Sequence, residues 1–473
     1  MAKAIQDNDP LYNLLSPLVQ YGCRCHYNSF VVRGLDSLPT DGSYIIAPCH
    51  QQALREPLAV LCFAPKPPVF LARADLFRQP TLRKVLTFLK IMPVYRIRDG
   101  QDQLGRNREI FDRCRDVLLD GFPLCLMAEG RHNNRHHLLP MGKGMFRIAA
   151  ETQLALGERP LYIVPTGIDF DEYEQPYSNL VVNIGRPIPV RPFIEGAQGA
   201  DDPHALNNMR DALAEALLPL MHDIRSDEHY DTVMTLCNAM NPTVRRREGL
   251  KNNAWNRFRM RQLVATEAAV LLAACDGRFE RLTAACDRYS ALCRTLRVSE
   301  KTVAEHWSLA AALFSAMVVA GVLAFIVAAA VSQSHIGIVA QSALFCLLCY
   351  PIPLLPTHLA VRRRVADPQF RSSFNWGVRF FGSIVWAIVI GVVMACTGGL
   401  WMGGVLPLGA WWGLVAVAVV VLGARLTAPF CTFLRRTFGS LRWHWLRLTR
   451  RGRCRELDAC LATMAEYFSG RTQ

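Results

Sequence analysis

The stretch Ile45–Val60 reads IIAPCHQQALREPLAV, and the organisation of the first part of the chain can be worked out from it. An apolar run of strand length ends at Pro48, shortly before His50, and a second apolar run begins after Glu56. Polar side chains that follow a buried strand lie where parallel α/β sheets present their ligand sites. We therefore expect His50 and Glu56 to meet at a strand end, with the carboxylate hydrogen-bonded to the imidazole ring.

Short apolar runs alternate with helix-length segments through the first 195 residues. The predicted strands are Tyr44–Pro48, Val69–Ala72, Ile91–Tyr95, Pro123–Ala128, Leu161–Pro165 and Leu180–Ile184. Segments with helical patterns, including Leu104–Leu119 and Gly144–Leu156, lie between several of them. This alternation predicts an α/β domain over residues 1–195, with a mostly parallel sheet flanked by helices.

Beyond residue 195 the strand signals stop. Residues 196–306 show apolar residues at helical spacing in Ala205–Ile224 and Trp255–Thr295, which predicts a helical linker region. Four long apolar runs follow, each sufficient to cross a bilayer core of roughly 30 Å. They are Trp307–Val331, Ile336–Val361, Phe380–Met402 and Val405–Ala424. We therefore expect a four-span transmembrane region over residues 307–424. The alternative is two buried helical hairpins in a soluble core.

Most of the net charge of +14 lies in the C-terminal part of the chain that begins with these runs. From Trp307 onward, 15 Lys and Arg stand against 4 Asp and Glu. Arginines follow the second and fourth runs, so the positive-inside rule predicts that the α/β domain and both termini are cytosolic. In the tail, residues 425–473, arginines alternate with Trp443, Trp445 and Leu446, which predicts a basic amphipathic helix on anionic lipid. We expect a bilayer, and no nucleic acid, as the partner.

A second polar group follows another predicted strand. Residues 126–144 read LMAEGRHNNRHHLLPMGKG, and IMPVYRIRDG lies upstream of them. Cations and turn amides grouped at strand ends suit a phosphate. The candidate substrate-binding residues are Arg96, Glu129, Gly130, Arg131, Arg135 and Lys143.

The cysteines and histidines show no zinc-binding pattern. None of the 16 cysteines belongs to a pair of CxxC motifs, and we expect reduced, packed thiols. A metal hydrolase built on His132, His136 and His137 is a rival interpretation, but no carboxylate stands near them at ligand spacing. We therefore expect no metal site.

Taken in order, these motifs resemble the glycerolipid acyltransferase superfamily, whose members acylate glycerol 3-phosphate or lysophosphatidate. The four family blocks correspond to PCHQQALREP, IMPVYRIR, MAEGRHNNRHHLLPMGKG and YIVPTGI, and the resemblance covers about residues 11–195. Five residues separate His50 from Glu56, where the family has four before an aspartate, and Ala128 replaces a proline. The longer first block looks more like the branch that acylates glycerol 3-phosphate or dihydroxyacetone phosphate.

The resemblance implies direct acyl transfer from acyl-CoA or acyl-ACP, with no permanently bound cofactor. His50 would be the general base on the acceptor hydroxyl, and Glu56 would orient it. We expect lysophosphatidate (1-acyl-sn-glycerol 3-phosphate) as the acceptor, giving phosphatidate for phospholipid biosynthesis. Glycerol 3-phosphate and dihydroxyacetone phosphate are alternatives because they present the same phosphate, and an acceptor without phosphate is a further option. A non-enzymatic membrane transporter or scaffold is the alternative from another class.

Overall fold

The computed structural model describes most of the chain. The described residues are 4–95, 105, 107–131, 135–173, 177–274, 277–331, 360–361, 363–365, 370–371, 373–378, 380–382, 385 and 406–468. The chain forms two compact units. The first comprises Met1–Arg24, Phe30–Tyr173 and Leu180–Asp223, and the second comprises Cys25–Ser29, Glu174–Asn179 and Ile224–Gln473. The domain boundaries at residues 195, 306 and 424 stay predictions.

The described residues of the first unit are built around one eight-stranded sheet. Its strands are β1 (Ser29–Arg33), β2 (Ser43–Pro48), β3 (Val69–Arg73), β4 (Ile91–Val94), β5 (Leu124–Cys125), β6 (Leu161–Phe170), β7 (Asn179–Ile184) and β8 (Ile188–Pro189). Their order is β1-β7-β6-β2-β5-β3-β4, and β8 pairs with β6. Strands β2 to β6 pair in parallel, whereas β7 and β8 are antiparallel to β6. The prediction of a mostly parallel sheet is confirmed.

Helices flank this sheet and share its core. They are α1 (Pro10–Cys25), α2 (Arg55–Phe63), α3 (Pro80–Phe88), α4 (Asn107–Leu119), α5 (Gly144–Leu156), α6 (Arg191–Ile194) and α7 (Pro203–Leu217). All six residues of β2 are buried, as is typical of a central parallel strand. Its Ile45 belongs to the same apolar core as Val117 of α4, Phe146 of α5 and Leu213 of α7.

Two predicted strands have different lengths in the structure. β6 continues past Pro165 to Phe170, because Thr166–Phe170 pairs with the antiparallel β7. β5 is limited to Leu124–Cys125, where six residues were predicted. The short strands β1 and β8 were not predicted, since neither contains a long apolar run.

The described part of the second unit is helical. Its helices are α8 (Tyr230–Arg247), α9 (Ala254–Ala273), α10 (Arg278–Leu296), α11 (Glu300–Glu305), α12 (Leu309–Val331), α13 (Leu406–Thr449) and α14 (Arg451–Phe468). The predicted segment Trp255–Thr295 forms two helices, and Gly277 precedes the second in a left-handed conformation, with a φ of 73°. Leu236, Val264, Tyr289 and Leu457 belong to one buried core.

One helix among the described residues is long and apolar enough to cross a membrane, Leu309–Ala328 in α12. Its Phe314, Met317 and Phe325 are 68%, 72% and 68% exposed, which is unlike a hairpin buried in a soluble core. The structure thus supports one candidate span where four were predicted. The expected spans Ile336–Val361 and Phe380–Met402 lie largely outside the described residues, as do most side chains of Val405–Ala424.

In the C-terminal tail, two of the three apolar residues that were predicted to face lipid pack inside the protein instead. Trp443 and Leu446 are buried in the core of the second unit, and only Trp445 of the three predicted lipid-facing residues is exposed. Residues three positions apart lie on one helix face, so Trp443 and Leu446 pack inward together. The apolar spacing therefore reflects packing within the unit at these two positions.

Candidate active site

Two neighbouring parallel strands, β2 and β5, end at one edge of the sheet. β2 pairs with β5 through Ile46 and Cys125, and extending that register by four residues puts His50 opposite Glu129. A hydrogen bond joins them, because the backbone N–H of His50 donates to Glu129 Oε1 at 2.7 Å. Two motifs that lie far apart in the chain therefore meet at the carboxyl end of the sheet, where α/β folds place their ligands.

His50 and Glu56 form a close pair at this edge. The ring nitrogen Nδ1 of His50 lies 2.6 Å from Glu56 Oε2, and the Glu56 side chain is fully buried. A carboxylate oxygen only accepts hydrogen bonds, so Nδ1 donates and Nε2 carries the basic lone pair. The His50 side chain retains 14% exposure. The pair therefore has the arrangement of a general base and its orienting acid.

A tight turn lets Glu56 reach back to the ring. Helix α2 begins at Arg55, so Glu56 lies in its first turn, where a negative charge is favourable. The second oxygen of Glu56, Oε1, accepts the backbone N–H groups of Gln51 at 2.6 Å and Gln52 at 2.7 Å. Three donors thus satisfy a buried carboxylate that would otherwise be costly. The five-residue spacing and the longer glutamate side chain are accommodated by this turn.

Glu129 connects His50 to the basic segment that follows β5. Its Oε2 accepts the N–H of Leu139 at 2.8 Å, and Gly142 N–H donates to Ala128 O at 2.9 Å. The chain turns immediately after Glu129 at Gly130, whose φ of 61° is in the left-handed region that glycine tolerates. Glu129 is 6% exposed. Both of its oxygens therefore hold backbone groups of the site in place.

Burial raises the pKa of Glu129 to about 8, and the charges of Glu56 and Asp223 act in the same direction, against the two N–H bonds. A carboxyl whose folded pKa is raised stabilises the fold fully below its unfolded value near 4.5, and this contribution is lost as pH rises through about 8.

We therefore expect the thermal unfolding midpoint to decrease as pH rises from 5 to 9. The corresponding loss in the free energy of unfolding is on the order of a few kcal/mol. Glu129→Gln does not titrate, so its midpoint should depend less steeply on pH. Melting curves of both proteins across this range test the expectation. Parallel pH curves for wild type and variant would show that Glu129 does not titrate in the fold.

The predicted phosphate-binding residues have different positions. The side chains of Arg131, Arg135 and Lys143 are exposed on the segment that leaves Glu129 and returns to Ala128. Lys143 immediately precedes α5 as its N-cap residue. Arg96 lies outside the described residues. The structure thus brings together His50, Glu56 and Glu129, and it places three cations on the segment that Glu129 holds.

A buried group of residues beside the pair was not predicted. Arg55 is 1% exposed, its guanidinium carbon lies 4.0 Å from the centre of the Phe170 ring, and Nη1 donates to Tyr173 O at 2.9 Å. The Tyr173 hydroxyl donates to Gln51 Oε1 at 2.5 Å. An arginine near a polar motif gives no local sign of burial, because its partners Phe170 and Tyr173 are more than a hundred residues away.

Comparisons with known proteins identify this region. Residues 29–169 match the family model described as Acyltransferase, an interval that starts in β1, ends in β6 and contains the His50–Glu56 pair. Among solved structures, the chain is similar to the crystal structure of the 1-acyl-sn-glycerophosphate (LPA) acyltransferase PlsC from Thermotoga maritima. That similarity has 17% sequence identity and a TM-score of 0.32, covering 44% of this chain and 78% of that chain. The comparison with curated proteins finds no match. Residues 29–169 therefore form an acyltransferase-family domain.

Proposed function

We propose that this enzyme transfers a fatty acyl group from acyl-CoA or acyl-ACP to the hydroxyl of lysophosphatidate, making phosphatidate. The observation that carries the proposal is the 2.6 Å contact between His50 Nδ1 and Glu56 Oε2, within the family-matched interval. Such a pair removes a proton from a hydroxyl without a covalent enzyme intermediate. The family match favours an enzyme over the transporter or scaffold that the hydrophobic segments alone allowed.

The proposed reaction has one chemical centre. His50 Nε2 takes the proton from the acceptor hydroxyl as its oxygen attacks the thioester carbonyl carbon. A C–O bond forms, and the C–S bond breaks when the tetrahedral intermediate collapses. The thiolate leaves and takes the proton from the imidazolium. Glu56 accepts the Nδ1–H bond throughout, so it stabilises the imidazolium and keeps Nε2 as the proton-accepting atom.

The acceptor phosphate would be held by the cations of the segment after β5. Arg131, Arg135 and Lys143 are exposed on it, and its backbone is fixed to the strand end through Leu139 and Gly142. Charge-assisted hydrogen bonds to phosphate are stronger than those between neutral groups. Because glycerol 3-phosphate presents the same phosphate, it is the second candidate acceptor. The spacing of five residues between His50 and Glu56 favours glycerol 3-phosphate, because it resembles the spacing in the family branch that acylates glycerol 3-phosphate or dihydroxyacetone phosphate.

The bilayer would supply the acceptor and take up the product. The candidate span Leu309–Ala328 supports an integral membrane enzyme. In the orientation we propose, which requires an even number of spans as in the predicted four-span region, the catalytic domain and both termini are cytosolic, on the side where basic residues near spans accumulate. The basic C-terminal part would then contact anionic lipids, with Trp445 exposed.

An acceptor panel tests the proposal. Membranes containing the full chain would receive a labelled acyl thioester with lysophosphatidate, glycerol 3-phosphate or dihydroxyacetone phosphate. We expect labelled phosphatidate with lysophosphatidate, and at least about 100-fold less from membranes containing the His50→Asn variant. Running acyl-CoA and acyl-ACP in parallel identifies the donor.

Each other outcome of the panel has a distinct meaning. Label in lysophosphatidate after addition of glycerol 3-phosphate would support the second acceptor. Label in acyl-dihydroxyacetone phosphate would place the chain in the branch that uses that acceptor. Absence of His50-dependent transfer to all three acceptors would contradict the proposal.

A further inference from the structure

Three buried side chains with metal-ligand chemistry converge beside the turn that holds Glu56. They are His136, Asp169 and His222, which are 2%, 2% and 0% exposed. One donor atom of each lies within 4.8 Å of the other two. His136 follows β5, Asp169 lies near the end of β6, and His222 follows a short 3-10 turn, Leu218–Leu220. Three separate segments of the first unit therefore meet at one point.

We propose that His136, Asp169 and His222 bind a divalent transition-metal ion, for which zinc is the best match. Two imidazoles and one carboxylate suit zinc, whereas calcium and magnesium favour sites made of oxygen. Zinc bonds of about 2.0–2.2 Å place tetrahedral ligand atoms roughly 3.3–3.6 Å apart. The observed distance from His136 Nδ1 to Asp169 Oδ1 is 3.4 Å. Small side-chain rotations would bring the widest pair, at up to 4.8 Å, to the same spacing.

The surroundings of the cluster are consistent with a bound cation. A buried carboxylate needs a compensating positive charge, and a divalent ion supplies it while keeping both imidazoles neutral. The Tyr173 ring stacks on His136 with centroids 4.6 Å apart, and the Tyr173 hydroxyl lies 3.0 Å from His136 Nδ1. That hydroxyl donates its single proton to Gln51, so it accepts from Nδ1–H of His136, and a zinc ion at Nδ1 would replace that ring proton.

The three candidate ligands could not be recognised from their spacing in the sequence. The histidines of the basic segment have no carboxylate nearby in the chain, which argued against a metal site there. The carboxylate instead comes from Asp169, 33 residues after His136, and the second imidazole comes from His222, 53 residues further on. The neighbouring His137 pairs with another carboxylate, Asp223, at 3.3 Å and lies outside the three-donor cluster.

The ion would act as a structural brace for the proposed catalytic turn. Tyr173 connects the cluster to Gln51, because its hydroxyl lies 3.0 Å from His136 and 2.5 Å from Gln51 Oε1. The backbone N–H of Gln51 in turn donates to Glu56. Coordination would cross-link the segment after β5, the end of β6 and the segment after α7. Metal binding is measured directly, so this inference does not depend on the identity of the acyl acceptor.

Zinc stoichiometry of the detergent-purified full chain tests the inference. The protein is stripped with a chelator, equilibrated with zinc and analysed for bound metal by mass spectrometry. We expect His222→Gln and Asp169→Asn each to lose about one zinc per chain relative to wild type. The comparison cancels any zinc held by the 16 cysteines. His137→Gln is the matched control, since it removes a histidine beside a carboxylate and should retain the wild-type stoichiometry.

Two further measurements make the result decisive. Zinc should raise the thermal midpoint of the stripped wild type and of His137→Gln, but not that of His222→Gln. Cobalt added to stripped wild type should give visible ligand-field absorption that zinc removes, a readout that needs no variant to fold. Equal zinc content in wild type and both ligand variants would overturn the inference. So would stripped wild type that takes up no zinc, which would make the cluster a hydrogen-bonded network alone.

Discussion

His50→Asn is expected to lower kcat by roughly 10²–10⁴-fold, the usual contribution of a general base. The asparagine amide can donate to Glu56 Oε2 much as His50 Nδ1 does at 2.6 Å, so the buried carboxylate keeps a partner. The backbone N–H bond from residue 50 to Glu129 is also kept. What the variant lacks is a basic nitrogen in the position of Nε2. The loss should therefore appear in kcat, with the fold retained.

Initial rates of acyl transfer at saturating donor and acceptor check this expectation, beside the thermal midpoint of each protein. His204→Ala is the control, because His204 is an exposed histidine at the start of α7. It should leave kcat within about twofold, as expected for a surface substitution. A His50→Asn enzyme that retained a tenth or more of wild-type kcat would mean that another group removes the proton.

The local part of the site could be predicted from the sequence, and the structure shows why. His50 and Glu56 are six residues apart, so a single turn brings the ring and the carboxylate to 2.6 Å. The apolar run before His50 forms the fully buried β2. The parallel sheet could be predicted for the same reason, because strands and crossover helices alternate along the chain. Both inferences depend on neighbours in sequence.

The contacts of the site that depend on strand register could not be predicted in this way. Glu129 is predicted to shape the substrate pocket, and that role stays a prediction; the sequence gives no sign that its oxygens accept N–H groups of His50 and Leu139. This follows from the pairing of Ile46 with Cys125, which no local pattern specifies. The cluster of Asp169 and the two histidines depends on register and on the path after α7, so it could not be seen from spacing.

Apolar composition alone also could not separate membrane contact from internal packing. Leu309–Ala328 exposes its large side chains and remains a candidate span. Trp443, from an arginine-rich helix, is instead fully buried against the core of the second unit. Both segments are helical and rich in large apolar residues. The difference lies in which helices pack against them, which is a property of the tertiary structure.

Glu56→Gln should lower kcat by roughly 10²–10⁴-fold, although it changes only one atom of the side chain. The amide oxygen can still accept the N–H groups of Gln51 and Gln52, so the turn before α2 is retained. The amide nitrogen then faces His50 Nδ1 as a donor. Two donors repel, and the ring avoids this by carrying its proton on Nε2. In that tautomer Nε2 cannot accept a proton from the acceptor hydroxyl.

The variant Glu56→Asp separates the effect of the carboxylate charge from the effect of side-chain length. It keeps a carboxylate and has the residue type of the family motif, but its side chain is one methylene shorter while five residues still separate it from His50. We therefore expect a kcat between those of wild type and Glu56→Gln, measured by the same initial-rate assay with the thermal midpoint as a check on folding. If the glutamine variant were as active as wild type, Glu56 would not orient the imidazole. If the aspartate variant were as inactive as the glutamine variant, the position of the carboxylate would matter as much as its charge, and the extra residue in this turn would require the longer side chain.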